Sequence, residues 1–237
     1  MRVLALDTTT SGGSVAVVEE GRVVVERAGD GATTHAQRLP RELLEALEAA
    51  GATLGGVDVF AVAVGPGSFT GIRIGMAAMQ GLALVSGKPI VPVSALDALG
   101  YLAGGTHRPG ECVGAWVDAH RGDVYSALYR VEDRPEYDVA RLTVVDPPRV
   151  GRPAVIAAEW RSRPDRPALV AGDGALAYAE FLDGAAPSGA PPSLAGAIGR
   201  LAAARARAGQ QVAPSALQPL YVRRPDVEIA REQGRDA

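Results

Sequence analysis

The sequence predicts an α/β protein built from two similar lobes, and three observations carry that expectation. Short apolar runs of strand length alternate with helical segments along most of the chain. A strand ending in an aspartate occurs twice, at Asp7 and at Asp118, an offset of about 111 residues. A strand entering a glycine turn also occurs twice, at Gly65-Pro66-Gly67 and at Gly172-Asp173-Gly174, an offset of about 107. Two matched features, in the same order and at nearly equal offsets, point to a duplicated unit.

Taken in order, Val3 to Asp7 is a nearly continuous apolar run, as expected of a strand buried on both faces. Thr8 to Gly13 is a hydroxyl-rich turn. Ser14–Val18 and Arg22–Arg27 are strands joined by the Glu19-Glu20-Gly21 hairpin. Thr33-Thr34 precede a helix from His35 to about Ala50, with Leu39, Leu43, Leu44 and Leu47 on its apolar side. Pro40 fits that helix only in the first turn. A strand at 57–64 leads into Gly65-Pro66-Gly67, the loop Ser68–Gly71, and a helix from Ile72 to Ser86. A strand at Ile90–Val93 and a helix from Ser94 to about Ala103 complete the first unit.

Gly104 to Gly110 is a breaker-rich joint and sets the boundary: an N-terminal lobe at 1–105 and a smaller lobe at 106–192. Strands are expected at 112–118, 123–129, 139–145 and 167–171, with a helix after Gly174 to Leu182. Residues 184–192 read as a second Pro/Gly joint. The Ala- and Arg-rich helix at about Leu194 to Ala208 returns to the first lobe, within a C-terminal stretch 193–225, and 226–237 is a charged tail expected to be flexible.

Composition narrows the function classes. A net charge of −3 leaves no global basic field for strong nonspecific nucleic-acid binding. A single cysteine, Cys112, rules out an internal disulfide and a multi-cysteine zinc site, and its strand position suits a core residue. His35, His107 and His120 follow no metal-ligand spacing. No segment is expected to span a membrane and no leader pattern opens the chain, so the expected location is the cytoplasm.

The stretch from Ala61 to Leu84 concentrates the candidate chemistry. Strand, glycine loop and helix N-terminus bring unpaired backbone N–H groups together, which favours an anion. Asp7, Thr8, Gly65, Gly67, Ser68 and Thr70 are the candidate nucleotide or anion contacts. Two alternatives stand beside that. Asp7 caps its own turn, the favoured one, or holds a nucleotide-bound magnesium. The glycines either cradle phosphate or permit a tight connection. The helix behind the loop has no broad polar face, so it needs cover on more than one side. Small residues at Gly71, Gly75, Ala78 and Gly81 suit a second helix at close range. The candidate partner interface is His35, Leu39, Leu43, Leu47, Ile72, Gly75, Met76, Met79 and Leu82, with a second subunit completing a four-helix contact. His35 has no nucleophile or orienting acid near it in sequence and is expected to bond locally. His120 and Arg121 occupy the second-unit turn that corresponds to the first unit's 8–13 turn, as anion contacts or solvated turn residues.

The duplicated unit is that of the actin-like (ASKHA, ribonuclease H-like) fold of sugar kinases and heat-shock chaperones. More narrowly, DTTTSGGSVAV, the helix after His35, GPGSFTGIRIG at 65–75, DAHRGDVYSALY at 118–129 and PLYVR at 219–223 resemble the TsaB (YeaZ) family over residues 3 to 224. That resemblance implies a noncatalytic relative of TsaD, the transferase that attaches threonylcarbamoyl to adenosine 37 of tRNA. It implies a TsaD-like partner, a TsaE-like ATPase, a homodimer when alone, tRNA only indirectly and no membrane. It implies no cofactor required by the chain, with ATP or ADP only at a complex interface. The metal-binding histidines of TsaD fall in register with Ala95 and Leu99, which cannot ligate. Tyr221, Arg223 and Arg224 match the family's C-terminal motif, which packs on the fold or meets a partner. The alternative is an ATPase or small-molecule kinase of the same fold. A peptidase lacks both a metal site and a Ser/His/Asp arrangement.

Overall fold

Two five-stranded mixed sheets with the same internal order carry the chain. They are seen in a computed structural model that describes residues 1–136, 138–189, 191, 193–220 and 222. The first sheet contains β1 (Arg2–Asp7), β2 (Ser14–Glu19), β3 (Arg22–Ala28), β4 (Val59–Ala63) and β5 (Ile90–Val93), ordered β3-β2-β1-β4-β5. The second contains β6 (Cys112–Asp118), β7 (Val124–Val131), β8 (Leu142–Gly151), β9 (Pro167–Ala171) and β10 (Ala186–Ser188), ordered β8-β7-β6-β9-β10 when read from the matching edge. In each, the first three strands are antiparallel and the last two join the first in parallel. Asp7 and Asp118 therefore end equivalent strands. This is the duplicated, two-lobed actin-like α/β fold.

Alternation along the strands explains the helix layers. Leu4 and Leu6 of β1 point to one side, with Phe60 and Val62 of β4, and meet α1 (His35–Ala49) and α2 (Phe69–Ser86). Val3 and Ala5 point to the other side, toward α6 (Ala195–Arg207). On the second sheet Val113, Ala115 and Tyr129 face α3 (Ala95–Gly104), which also packs on α6. One continuous apolar cluster thus joins both sheets through α3 and α6. The outer face of the second sheet is covered by α4 (Pro153–Arg161) and α5 (Asp173–Ala177), where Trp116 and Trp160 meet with ring centroids 5.8 Å apart. After α6, the chain straps the edge of the first sheet. Val212 bridges Ile90, the Pro214 carbonyl accepts from Gln80, Leu217 is buried and Leu220 N–H donates to the Val64 carbonyl.

Several elements differ from the sequence expectation. The joint at 104–110 separates the two units along the chain but not in packing, because α3 precedes it and yet covers the second sheet. Pro40 is the sixth residue of α1, not in its first turn. The capping box of Thr34 and Gln37 fixes the helix start upstream, and the proline ring is exposed. Ser68 caps α2, accepting from Gly71 N–H at 3.2 Å, so the helix starts before Ile72. At 18 residues, α2 is long and apolar enough by length and composition to cross a membrane, but here it packs on the first sheet. The third strand of the second unit starts at Leu142 after a 3₁₀ turn at Val139–Arg141. The helix expected to reach Leu182 is the five-residue α5 followed by a 3₁₀ turn at Ala179–Phe181. Helix α4 and strand β10 were not anticipated.

Candidate functional site

The loop that looks like a phosphate cradle is closed by the chain itself. Asp7 is buried, and one carboxylate oxygen accepts from Thr9 N–H at 2.8 Å and Thr9 hydroxyl at 2.6 Å; the other accepts from Thr10 hydroxyl at 2.9 Å. All three of these bonds come from the turn that follows it. Thr8 donates its hydroxyl to the Gly71 carbonyl at 2.7 Å, and Ser68 N–H donates to the Thr9 carbonyl at 2.9 Å. Gly65 and Gly67 adopt φ of 114° and 150° around a cis Gly65–Pro66 bond. A Cβ on Gly67 would lie 2.6 Å from Thr9, and one on Gly71 would lie 2.0 Å from the Thr8 carbonyl. The glycines therefore serve close approach between the loop and the 8–10 turn. Of the six expected anion contacts, Asp7, Thr8, Gly67 and Ser68 build this joint, Gly65 packs against Ile72 and the Leu220 carbonyl, and Thr70 is exposed. The Asp7 carboxylate and the Ser68 N–H thus serve the joint between the two turns.

Burial also redraws the expected interface. Leu39, Leu43, Leu47, Ile72, Gly75, Met76 and Met79 all face inward, in the core under α1 and α2. A Cβ on Gly75 would sit 2.1 Å from Thr8 Oγ1, so this glycine admits the turn after β1, not a second helix. These seven are corrected to core positions; Leu82 and His35 are half-buried. Among the described residues, the other side of α2 is uncovered. Thr70, Arg73, Ala77, Gly81, Leu84 and Val85 recur at three- and four-residue steps on one exposed face. Leu84 is 57% exposed, Val85 86%, and Phe69 at the helix start 52%, with the Arg73 guanidinium 3.8 Å above its ring. On α1, which packs beside α2, Leu44 is 63% exposed. The sequence showed that α2 lacks a polar stripe but not which apolar side turns inward. The signal was Gly71 and Gly75, one turn apart, on the same stripe as Ile72, Met76 and Met79.

His35 has one contact within its own helix and one to the turn after β1. Its Nε2 is 3.2 Å from the Thr10 carbonyl and its Nδ1 is 2.7 Å from Arg38 Nη2. Burial, and then the Arg38 charge, hold its pKa below the ordinary imidazole value. Ala95 and Leu99 are buried in α3. Among the described residues no three His, Cys, Asp or Glu side chains cluster to hold a metal. His120 and Arg121 both take left-handed conformations, at φ of 58° and 57°, in the turn after β6; His120 N–H donates to Asp118 at 2.9 Å. Cys112 is buried, which raises its thiol pKa. Tyr221, Arg223 and Arg224 lie outside the described residues.

Residues 26–153, more than half of the chain and including α1, α2 and α3, match the family described as TsaD, tRNA N6-adenosine threonylcarbamoyltransferase. The tRNA threonylcarbamoyladenosine biosynthesis protein TsaB of Escherichia coli is 31% identical over 183 residues, 70% of this chain and 74% of that protein. The chain belongs to the TsaB (YeaZ) family. The TsaB protein of Haemophilus influenzae is 35% identical over 139 residues, a match that spans 58% of each chain. In structure, the chain superposes on YeaZ from Pseudomonas aeruginosa with a TM-score of 0.78 at 31% identity, covering 93% of this chain and 99% of that one. The TsaB likeness thus takes in both lobes, while the TsaD match stops at Pro153, the first residue of α4.

Proposed function

We propose that this chain is a noncatalytic subunit of the machinery that makes N6-threonylcarbamoyladenosine on tRNA, binding and ordering a TsaD-like transferase. Membership of the TsaB family supports the process, tRNA threonylcarbamoyladenosine biosynthesis. The observation that carries the docking role is the uncovered face of α2, with small residues Ala77 and Gly81 between Leu84, Val85 and the flanking Leu44. An apolar helix face with small residues at its centre admits a second helix at close range. A TsaD-like subunit, sharing the fold, offers an equivalent helix pair, and a second copy of this chain would use the same face when no such partner is present. A TsaE-like ATPase joins the pair, tRNA is met through the catalytic subunit, and the work is cytoplasmic. The closed loop at Gly65–Ser68 and the buried Ala95 and Leu99 support the absence of catalysis by this chain.

The test mixes the purified chain with the TsaD-like transferase of the same cell and follows both pairing and threonylcarbamoyl transfer to tRNA. Gly81 is exposed and nothing lies within 4 Å of a Cβ there, so Gly81→Arg blocks helix approach without disturbing the chain's own packing. We expect pairing to weaken by about 100-fold or more, equivalent to about 2.8 kcal/mol. Replacing a helix-interior glycine adds about 0.5–1 kcal/mol of helix propensity, so the melting temperature holds or rises. Normal pairing by Gly81→Arg sinks the α2 interface. Magnesium-dependent ATP hydrolysis by the chain alone, lost in Asp7→Asn, sinks the noncatalytic role.

A further inference from the structure

His35 stands where the turn after β1 meets the first residue of α1, and its two ring nitrogens face groups of opposite demand. The Thr10 carbonyl, 3.2 Å from Nε2, can only accept; the Arg38 guanidinium, 2.7 Å from Nδ1, can only donate. The neutral ring with its proton on Nε2 satisfies both at once, and no other form does. Arg38 is itself buried and extends the connection. The nitrogen that reaches His35 also donates to the Gly12 carbonyl, and Nη1 donates to both carboxylate oxygens of Glu42 at 2.7 and 2.9 Å. Arg38 Nε is buried with no hydrogen-bond partner among the described residues. A Cβ on Gly13 would lie 2.9 Å from the imidazole Cε1, so the turn packs against the ring as well as bonding to it. The charged groups facing His35 are Asp7 from β1 and Arg38 and Glu42 from α1, while the turn itself offers carbonyls.

We propose that His35 is a proton-sensitive strut that fastens the turn after β1 to the first turn of α1. In its neutral form it bridges the Thr10 carbonyl to Arg38, and Arg38 in turn holds the Gly12 carbonyl. A proton on Nδ1 sets an N–H donor against the guanidinium's own donors and a second positive charge beside the first. The Arg38 contact then breaks, and the hold on Gly12 goes with it. Burial and the Arg38 charge keep the ring neutral near pH 7, so the strut opens only on acidification. Because α1 flanks the proposed docking face, opening the strut loosens that face too; this consequence alone rests on the docking role.

Ring-nitrogen NMR on the full chain, together with amide hydrogen exchange, tests the strut. The chain has three histidines, and the His35 signals are assigned by their loss in His35→Gln. At pH 7 the His35 ring should show the neutral Nε2–H pattern, and its titration midpoint should fall below about 6.5, the usual imidazole value. Corrected for intrinsic rates, exchange at residues 10–13 and 35–38 should accelerate through that same midpoint in the wild type. It should stay flat in His35→Gln, which keeps a donor for the Thr10 carbonyl and carries no titrating ring. A proton on Nδ1 at pH 7, or the same acid acceleration in both proteins, overturns the proposal. Both measurements use the chain alone, so they stand or fall independently of any TsaD-like pairing.

Discussion

At Gly75 the helix α2 passes so close to Thr8 that a single methyl group has no room, 2.1 Å from the hydroxyl oxygen. That hydroxyl is pinned by its bond to the Gly71 carbonyl and cannot swing away without leaving a buried donor unpaired. We expect Gly75→Ala to lower unfolding free energy by about 1–3 kcal/mol, the usual cost of overpacking, in urea titration. Adding Thr8→Ala should recover part of that loss, because it removes the atom in the way; no recovery would mean that the strain lies elsewhere. At His35 the same scale sets a pH dependence. Its folded pKa lies below the unfolded value near 6.5, so the unfolded chain binds the extra proton more readily. Its contribution to stability is present above about pH 6.5 and is lost as pH falls through the depressed folded value. Urea midpoints of wild type and His35→Gln should therefore converge on acidification.

Among the elements, α1 carries an avoidable cost. Pro40 has no N–H for the Ala36 carbonyl and sits past the first turn, where proline is well tolerated. Its ring is exposed, so Pro40→Ala removes no buried contact. The expected outcome is a rise in stability of up to about 3 kcal/mol, read from thermal melts. The elements also show what the sequence could tell. Strands β1, β2 and β4 were legible because a strand buried on both faces leaves an unbroken apolar run. Helix α4 was not, since Pro153 comes one residue after β8 and the segment is short. Strand β10 is three residues, Ala-Pro-Ser, with no strand propensity of its own; pairing with β9 makes it a strand. The candidate site was legible as a place and misread in orientation. Periodicity marks a helix that is apolar all round, but only the close fit of Gly75 on Thr8 settles which stripe turns inward.

Across the whole molecule the two lobes are tied by chemistry as well as by shared apolar packing. Asp97 on α3 accepts from Tyr129 hydroxyl of β7 at 2.9 Å and from Arg205 of α6 at 2.6 Å. Burial, and then the Asp97 charge, push the Tyr129 phenol well above its usual pKa, so it stays a neutral donor. Removing the carboxylate in Asp97→Ala leaves the buried phenol and a half-buried guanidinium without their acceptor, a loss of about 2–3 kcal/mol. Because one apolar cluster spans both sheets, calorimetry should show a single transition in the wild type and in the variant. Two resolved transitions would mean that the lobes melt as separate units.

Helix α6 has a consequence for synthesis on the ribosome. It covers Val3, Ala5, Ala16 and Val18, yet it starts at Ala195. Until α6 has been made, that side of β1 and β2 lacks the helix that covers it. The N-terminal half therefore emerges as an unfinished layer, and its closure waits for a contact of very long sequence separation. A nascent chain of this design depends on being kept from its neighbours for most of its translation.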